Sequence, residues 1–388
     1  MRVALVSSSY DPHPGGVEEH TRAVARILRE RGVPVEVWTV DRGEHLPTRL
    51  LDGVVVRSLP TPLPARTPRA LASFALRALP AWRAWAAARR AFRPDVLHVQ
   101  CFGPNGLYAL ALHAVHRTPL IVSSHGETFV DDHQAFDRSA LLRAGLRAAG
   151  RLSASVTGCS TVVTEDLARR FGIADAVVVP NGIDLDRPPA SDAPVFDAGQ
   201  PTVFAVGRFE RVKGFDLLVR AFARAALPQE TRLVVGGDGG ALAEVRALAR
   251  TLGVADRVDF PGRLSGTQVA ASMAAATVNV VPSRSEAFGI VVLEAWRSGR
   301  PLVATSRGGP GTLVTDGVDG LLVDPDDTAA FEIALERIVG DHDLAGRLAA
   351  GGSVAVRAYT WESVVDAYER LYRQAVARPQ ARDAQTRA

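Results

Sequence analysis

The sequence predicts an α/β protein made of two doubly wound domains, each built on a mostly parallel sheet. Short β-branched runs alternate with longer amphipathic runs over most of the chain. RVALVSSS is a predicted strand, and VEEHTRAVARILRERG is a predicted helix that turns Val24, Ile27 and Leu28 to one side and ends at Gly32. Repetition of strand, helix and strand is typical of parallel sheets with helices on both faces.

The same alternation defines the remaining elements. The first half continues with the predicted strands VPVEVWTV, DVLHVQC, PLIVSSH, TVVTE and AVVVPNG. After residue 200 the predicted strands are TVFAVGR, TRLVVGGDG, RVDFPG, TVNVVPS, PLVATS and GLLVD. Predicted helices lie between them, among them one from about Phe215 to Ala226 and one from about Leu242 to Leu252.

A segment rich in Pro, Asp and Ala and without periodicity separates the two halves. We predict a first domain over residues 1–185, a linker over 186–200, a second domain over 201–358 and a C-terminal segment over 359–388. That segment begins with an amphipathic helix carrying Val364, Val365, Tyr368, Leu371 and Tyr372 on one side. Doubly wound sheets bind ligands at the carboxyl ends of their strands, so we expect the two domains to face each other across a cleft.

Composition and charge exclude several classes of protein. The 388 residues carry a formal net charge of +3, and the first 190 contain 23 Arg against 18 Asp and Glu, too mild a bias for nucleic acid. Two cysteines, Cys101 and Cys159, form no disulfide framework. Neither a signal peptide nor a run of 18 apolar residues is present, so we expect a cytoplasmic protein, at most peripheral to the inner face of the membrane.

The stretch VGRFERVKGFD contains Lys213, the single lysine among 45 basic residues. A strand is predicted to end at Gly207 and a helix to start near Gly214, which puts Arg208 and Lys213 on a loop at the carboxyl edge of the sheet. A planar guanidinium and a compact ammonium beside a helix N-terminus suit different oxygens of a diphosphate. The alternative is a pair of solvated surface cations.

The stretch PSRSEAFGIVVLEAWRSGRP places two carboxylates around a predicted helix start near Phe288. Glu286 lies just before the first turn, and Glu294 follows eight residues later in an otherwise apolar helix. Gly289 lets a ligand approach the backbone. The alternative is that Glu286 only caps the helix and Glu294 is solvated.

Two weaker signals lie in the first half. Gly15 and Gly16 fall between the first strand and the first helix, where a phosphate or sugar can approach the backbone. His125 ends the strand PLIVSSH and is predicted to project into the cleft. Taken alone, turn glycines and single histidines are more often structural than functional.

Together these motifs resemble one family over nearly the whole chain. The order GGVE, a strand-end histidine, VVPNGID, VGR–x4–KG, VVGGDG and E–x7–E inside PSxxEAFGIVVLEAxxxGxPLVAT is similar to the retaining family 4 glycosyltransferases of the GT-B fold, which has two Rossmann-like domains. The E–x7–E block with the upstream Arg and Lys is the specific part. One position differs from the pattern: in RGGPGTLVTDG, Thr312 stands where the family often has glutamate.

The resemblance implies a role for each matching residue. Arg208 and Lys213 would hold the donor diphosphate, and Glu286 would bind hydroxyls of the donor sugar. The other expected donor contacts are the amides of Phe288, Gly289 and Ile290 to sugar and phosphate, Glu294 to the ribose, and Gly15 and Gly16 along the phosphate. His125 would face the reacting sugar. His125, Arg208, Lys213 and Glu286 are thus the predicted catalytic residues.

The implied reaction uses a nucleotide-sugar donor and a hydroxyl acceptor, with no cofactor and no metal. No DxD motif follows a strand, and the pairs Asp131-Asp132 and Asp326-Asp327 are interpreted as solvated acids. Two cations and a helix N-terminus can stabilise the departing diphosphate instead. A double displacement needs a carboxylate on the far face of the sugar, and none can be assigned, so front-face attack with retention is the better hypothesis.

Several alternatives remain open at the level of sequence. Residues 64–95 hold seven arginines with Trp82 and Trp85, which fits either a solvated helix broken near Pro80 or weak peripheral membrane contact with a lipid-linked or polysaccharide acceptor. A nucleotide-sugar epimerase and a non-catalytic binding module also use such domains. The resemblance implies UDP rather than GDP as the donor nucleotide. A small-molecule acceptor is expected before a lipid or polysaccharide, while the sequence says nothing of the oligomeric state.

Overall fold

The computed structural model describes residues 1–13, 15–64, 67–130, 135–186 and 192–377. The chain divides into two units, one of Met1–Asn181 with Trp361–Ala388 and one of Gly182–Thr360. The division falls a few residues before the predicted end of the first domain at 185 and just after the predicted end of the second at 358. Asp131, Asp132 and the tail from Arg378 lie outside the described residues.

The first unit is built on an eight-stranded sheet with the strand order β3-β4-β2-β1-β5-β6-β7-β8. All neighbouring strands pair in parallel except β3, which is antiparallel to β4 at one edge. The strands are β1 (Val3–Ser7), β2 (Val35–Val40), β3 (Arg49–Leu51), β4 (Val54–Leu59), β5 (Val96–Gln100), β6 (Leu120–Ser124), β7 (Ser155–Gly158) and β8 (Val177–Val178).

Helices connect these strands and cover both faces of the sheet. They are α1 (Gly16–Glu30), α2 (Pro68–Phe92), α3 (Pro104–His116), α4 (Ala135–Arg138), α5 (Ala140–Leu152) and α6 (Thr161–Asp166), which continues as a π turn over Leu167–Phe171. The predicted first helix is confirmed, with its predicted apolar residues Val24, Ile27 and Leu28 buried.

The second unit holds a six-stranded, fully parallel sheet with the order β11-β10-β9-β12-β13-β14. Its strands are β9 (Thr202–Val206), β10 (Arg232–Gly236), β11 (Val258–Gly262), β12 (Val278–Val281), β13 (Leu302–Thr305) and β14 (Leu321–Val323). Its helices are α7 (Phe215–Arg224), α8 (Leu242–Thr251), α9 (Gly266–Ala275), α10 (Ile290–Arg297), α11 (Pro310–Leu313), α12 (Thr328–Gly340) and α13 (His342–Ala355), with 3-10 turns at Arg211–Lys213 and Val356–Ala358.

The strand order places a ligand-binding edge in each unit. In both sheets the order reverses beside the first strand, between β1 and β5 and between β9 and β12. Doubly wound sheets bind ligands at this reversal, outside the carboxyl ends of the strands. The loop with Lys213 follows β9 and the loop with Glu286 follows β12, so both flank the reversal of the second sheet.

The C-terminal helix α14 (Trp361–Ala377) belongs to the first unit. Val364, Val365, Tyr368 and Tyr372 are buried in a core cluster with residues of β1 and α1, and Leu371 packs against it partly buried. The predicted apolar side of this helix therefore provides its packing surface.

Three local predictions were wrong. TVVTE is not a strand but α6, because the Ser160 side chain caps it by accepting a hydrogen bond from the Val163 amide, 3.3 Å away. The helix over residues 64–95 is not broken at Pro80, which lies inside the continuous α2. Part of the predicted linker packs on the second unit, where the Val195 amide donates to Ser272 Oγ at 3.2 Å.

No helix in the described part of the chain is both long and apolar enough to cross a bilayer.

Candidate active site

The loop after β9 carries the two predicted diphosphate-binding cations. It runs from Gly207 through a single 3-10 turn at Arg211–Lys213 to Gly214, the N-cap residue of α7. Lys213 Nζ lies 2.7 Å from Glu286 Oε2, with the two side chains 21% and 13% exposed. Arg208 is more open and pairs with Glu210 at 2.8 Å. Lys213 therefore faces the second predicted motif, whereas Arg208 extends towards solvent.

The loop after β12 carries Glu286. Besides its contact with Lys213, the Glu286 carboxylate accepts a hydrogen bond from Ser283 Oγ at 3.2 Å. Helix α10 begins only at Ile290, with Gly289 at the N-cap and no side chain capping it, so Phe288 precedes the helix rather than starting it. Glu286 thus lies outside the helix, and the contact with Lys213, rather than helical periodicity, determines its place. The first-turn amides of α10 form a helix N-terminus of the kind that binds anions and hydroxyls.

Two glycines let the site loops pack backbone against backbone. Gly214 has φ 69°, and a Cβ there would overlap the carbonyl oxygen of Pro282. Gly308, in the loop after β13, has φ 77°, and a Cβ there would overlap the carbonyl oxygen of Glu286. The neighbouring Gly309 amide donates to that same carbonyl at 2.7 Å. Glycine is required at both positions by conformation and by space.

An ion pair that was not predicted from the sequence joins the two motif loops, which are the loops after β9 and β12. The two terminal guanidinium nitrogens of Arg284, Nη1 and Nη2, donate to the two carboxylate oxygens of Asp216 at 2.7 Å each. Arg284 Nη1 also donates to the carbonyl of Arg211 at 2.9 Å, and its amide donates to that of Val212 at 2.8 Å. Burial alone would raise the pKa of Asp216, but the hydrogen bonds and charge of Arg284 outweigh it and lower this pKa. The only sequence feature that pointed to this ion pair was the position of Arg284, two residues before Glu286.

Of the predicted donor residues, Ile290 begins α10 and Glu294 lies within it, after Phe288 and the N-cap residue Gly289. Glu294 is half-buried in this mostly apolar helix, on the second turn after the N-cap residue Gly289. Thr312, which stands where the family often has glutamate, donates from Oγ1 to the carbonyl of Gly309 at 2.8 Å. The acids Asp326 and Asp327 are not simply solvated: Asp326 pairs with Arg307 at 2.7 Å, and Asp327 caps α12.

His125 directly follows β6 in the first unit and is half-buried. Its Nε2 lies 2.8 Å from Gln100 Oε1, and its amide donates to Glu127 Oε2 at 2.7 Å. Burial, together with the nearby rings of His20 and His98, holds the pKa of His125 well below its usual range. The imidazole is therefore neutral at pH 7.

Glu127 ties the loop of His125 to the loop after β5. It accepts hydrogen bonds from the amide of Phe102 at 2.9 Å and from Ser124 Oγ at 3.0 Å, besides the amide of His125. Burial raises the pKa of this carboxyl despite these bonds. Neither Gln100 nor Glu127 was predicted from the sequence, although Gln100 is the last residue but one of the predicted strand DVLHVQC.

Gly15 and Gly16 lie at the start of α1, at the carboxyl end of β1. Gly15 is the N-cap residue, and the carboxylate of Glu18 lies against it. The structure thus brings Lys213 and Glu286 into contact and puts Arg208 on the same loop as Lys213. The glycine pair and His125 lie at strand ends of the first sheet. Among the described residues, no three His, Cys, Asp or Glu side chains are grouped so that they could hold a metal ion.

Two family models and several known proteins match most of the chain. A family model described as "Glycosyl transferases group 1" matches residues 186–353, and one described as "Glycosyltransferase Family 4" matches residues 14–187. A D-inositol 3-phosphate glycosyltransferase of Xylanimonas cellulosilytica is 31% identical over 98% of this chain and 98% of its own length. The lipopolysaccharide core biosynthesis glycosyltransferase LpsE of Rhizobium meliloti is 39% identical over 57% of each chain.

Among solved structures, sucrose-phosphate synthase from Thermosynechococcus elongatus matches with a TM-score of 0.81 and 26% identity, over 97% of this chain and 99% of that one. The two Rossmann-like units and the order of the motifs along them agree with these matches. The chain belongs to the family 4 glycosyltransferases of the GT-B fold, enzymes that transfer a sugar from a nucleotide-sugar donor.

Proposed function

We propose that the protein transfers a hexose from a nucleoside diphosphate sugar, UDP before GDP, to a hydroxyl of a small-molecule acceptor, with retention of configuration and without a divalent metal. The observation that carries this proposal is the contact of Lys213 with Glu286 at 2.7 Å, beside the strand-order reversal of the second sheet. When a donor binds there, the Lys213 ammonium can bind its diphosphate and the Glu286 carboxylate can accept a hydrogen bond from a hydroxyl of its sugar.

The proposed donor contacts are those that the family resemblance implies. Lys213 and Arg208 bind the diphosphate, the first from a half-buried position and the second from the exposed part of the same loop. Glu286, released from Lys213, accepts hydrogen bonds from sugar hydroxyls. The amides of Phe288, Gly289 and Ile290 hold sugar and phosphate oxygens, and Glu294 holds the ribose.

The remaining proposed site residues, Gly15, Gly16 and His125, belong to the first unit. Gly15 and Gly16 allow the phosphate to approach the start of α1. His125 offers a neutral imidazole to the reacting sugar. Because that imidazole resists protonation, its proposed role is to hydrogen-bond a hydroxyl rather than to supply positive charge.

Metal independence is proposed from the charge at the site. Negative charge that builds up on the leaving diphosphate can be stabilised by Lys213, Arg208 and the N-terminus of α10. Retention is proposed through front-face attack by the acceptor hydroxyl. Glu127, the carboxylate next to His125, is occupied by three hydrogen bonds from the protein itself, so it is poorly suited to act as a nucleophile. Trapping of a covalent glycosyl-enzyme would contradict this mechanism.

A small-molecule acceptor is proposed because the Xylanimonas relative, similar over its full length, is named for D-inositol 3-phosphate. The partial match to a lipopolysaccharide core enzyme favours the alternative of a larger acceptor. Mass spectrometry of reactions with D-inositol 3-phosphate and UDP-glucose as probes distinguishes them, because a glycosylated inositol phosphate forms only if a small polyol is accepted.

The first experiment is calorimetric titration with UDP, GDP, ADP and dTDP, each with and without EDTA. We expect tight binding of one nucleotide that EDTA leaves unchanged and that Lys213→Ala weakens. Arg220→Ala is the matched control, because it removes a charge from the exposed face of the adjoining helix α7. Binding that requires a metal, or that ignores Lys213, would overturn the proposed donor site.

A second candidate function, peripheral membrane contact, is favoured by helix α2. Leu71, Leu76 and Leu79 are 46%, 79% and 54% exposed on its first half, and residues 64–94 contain seven arginines and no acid. Exposed leucines beside arginines suit an anionic lipid surface. Sedimentation with phosphatidylglycerol vesicles tests this: the protein should pellet, and Leu76→Ser should reduce pelleting. Equal recovery in the supernatant with and without vesicles would exclude the contact.

A further inference from the structure

A buried polar cluster lies beneath His125 in the first unit. We define it as His20, His98, Gln100, Ser123 and Tyr368, all fully or almost fully buried. The rings of His20 and His125 meet edge to face with their centroids 4.6 Å apart. Burial lowers the pKa of His20 to about 4 and that of His98 to about 3. The histidines of this region are therefore neutral, and each has one nitrogen that donates and one that accepts.

The hydrogen bond to Gln100 defines which nitrogen of His125 carries the proton. His125 Nε2 lies 2.8 Å from Gln100 Oε1. An amide oxygen can only accept, so Nε2 is the donor and Nδ1 of the neutral ring keeps its lone pair. Nδ1 is then the nitrogen able to accept a hydrogen bond from a hydroxyl of a bound ligand.

The orientation of the Gln100 amide is itself determined by the cluster. Its Nε2 lies 3.3 Å from Nδ1 and 3.2 Å from Nε2 of His98, so it contacts the ring rather than either lone pair. Both nitrogens of His98 have hydroxyl partners, Tyr372 Oη and Ser123 Oγ, each at 2.7 Å. With the amide nitrogen over this ring, the amide oxygen of Gln100 is directed to His125.

The register between β5 and β6 explains why Gln100 and His125 meet. Gln100 is the last residue of β5 and pairs in register with Ser123 of β6, so His125 follows one step beyond the same edge. His98 lies two residues before Gln100 on β5, on the same side of the strand. A strand end on a rigid sheet holds a side chain more accurately than a free loop does.

We propose that Gln100 is a positioning residue for the transfer reaction, which holds His125 as the Nε2–H tautomer and so presents Nδ1 as a hydrogen-bond acceptor to the donor sugar. The inference depends on the proposed function through the role of His125. It assigns Gln100 no contact with substrate. Its effect is exerted through the tautomer and orientation of the imidazole.

The test measures the tautomer directly. In 15N NMR spectra of the full chain at pH 7, the ring nitrogens of His125, assigned by their loss in His125→Gln, should show a protonated Nε2 and a bare Nδ1. Gln100→Met, which is similar in size but offers only a weakly accepting thioether in place of the amide oxygen, should lose this pattern. Thr157→Val is the matched control, because it removes a buried hydroxyl bonded to Ser123 at 2.6 Å without touching Gln100 or His125.

The rate provides a second measurement. We expect Gln100→Met to slow UDP release from UDP-glucose about tenfold, as for one lost hydrogen bond in the transition state, with UDP affinity unchanged. Thr157→Val should keep the wild-type rate. A wild-type His125 protonated on Nδ1, or equal rates in Gln100→Met and Thr157→Val, would overturn the proposal. If Gln100→Met does not fold, the wild-type spectrum still decides. Failure of the wild type to bind any nucleotide would instead count against the proposed function, since the tautomer is measured without ligand.

Discussion

Replacement of Lys213 by alanine tests the donor site most directly. In the free protein Lys213 Nζ and Glu286 Oε2 are 2.7 Å apart, and Glu286 is only 13% exposed. Truncation removes the ammonium and leaves a mostly buried carboxylate with the hydroxyl of Ser283, at 3.2 Å, as a remaining partner. Two effects on nucleotide binding follow. The diphosphate loses the attraction of the Lys213 ammonium, and it is repelled by the Glu286 carboxylate, whose negative charge is no longer compensated.

The magnitude can be estimated from these contacts. A hydrogen bond to a charged group contributes about 1.5–3 kcal/mol, so its loss weakens binding of the nucleoside diphosphate about 10- to 150-fold. Repulsion by the unpaired Glu286 adds to this. The same truncation should lower the free energy of unfolding by about 1–2 kcal/mol, less than for a fully buried pair because Lys213 is partly exposed.

The assay is calorimetric titration of UDP into the wild type, Lys213→Ala, Glu286→Gln and the double variant. We expect Glu286→Gln in the alanine background to recover part of the lost affinity, because it removes the uncompensated charge. Lys213→Arg keeps the charge but not the compact ammonium, and we expect intermediate affinity. Wild-type affinity in Lys213→Ala, or no recovery in the double variant, would refute the role given to this pair.

Three further predictions concern the supports of the site. Gly308→Ala should destabilise the protein by about 1–3 kcal/mol and weaken nucleotide binding, because the new Cβ overlaps the Glu286 carbonyl at a positive φ. Asp216→Asn should also weaken nucleotide binding, because it breaks the bidentate contact of Arg284 that joins the two motif loops. Acidification from pH 7 to pH 5 should reduce the free energy of unfolding, and His98 should account for about 2 kcal/mol of this loss. The reason is that the His98 imidazole takes up a proton below about pH 6.5 in the unfolded chain. In the folded protein its pKa is about 3, so it stays neutral at pH 5.

Each of these has its own control. Gly317→Ala shares a positive φ of 73° but meets no atom within 4 Å, so a loss equal to that of Gly308→Ala would show that the overlap is unimportant. For Asp216, whose pKa is lowered in the fold, the stability it adds is present above about pH 3.8 and lost as the pH falls through the folded value. Acid unfolding curves that coincide for the wild type and Asp216→Asn would contradict that contribution. Urea unfolding of His98→Gln at both pH values should show a smaller loss than the wild type, and an equal loss would contradict the assignment.

Most of the fold was predictable because strand and helix periodicity are local. The alternation of runs indicated parallel sheets, and Gly32 and the apolar side of α14 were identified from neighbouring residues alone. TVVTE was wrong because β-branched residues favour strands on average, whereas here the Ser160 cap made the segment helical. A local propensity cannot report which competing partner a backbone amide will find.

The sequence by itself determined which chemistry is present: a lone lysine and an arginine after one strand, a glutamate after another, and a strand-end histidine. Only the tertiary structure decided their partners. Lys213 and Glu286 are 73 residues apart and meet because β9 and β12 are neighbours in the sheet. Gln100 and His125, 25 residues apart, meet because β5 pairs with β6. Strand order is set by the burial of whole faces rather than by any short motif, so the contacts that it creates across strand ends cannot be derived from a single segment of sequence.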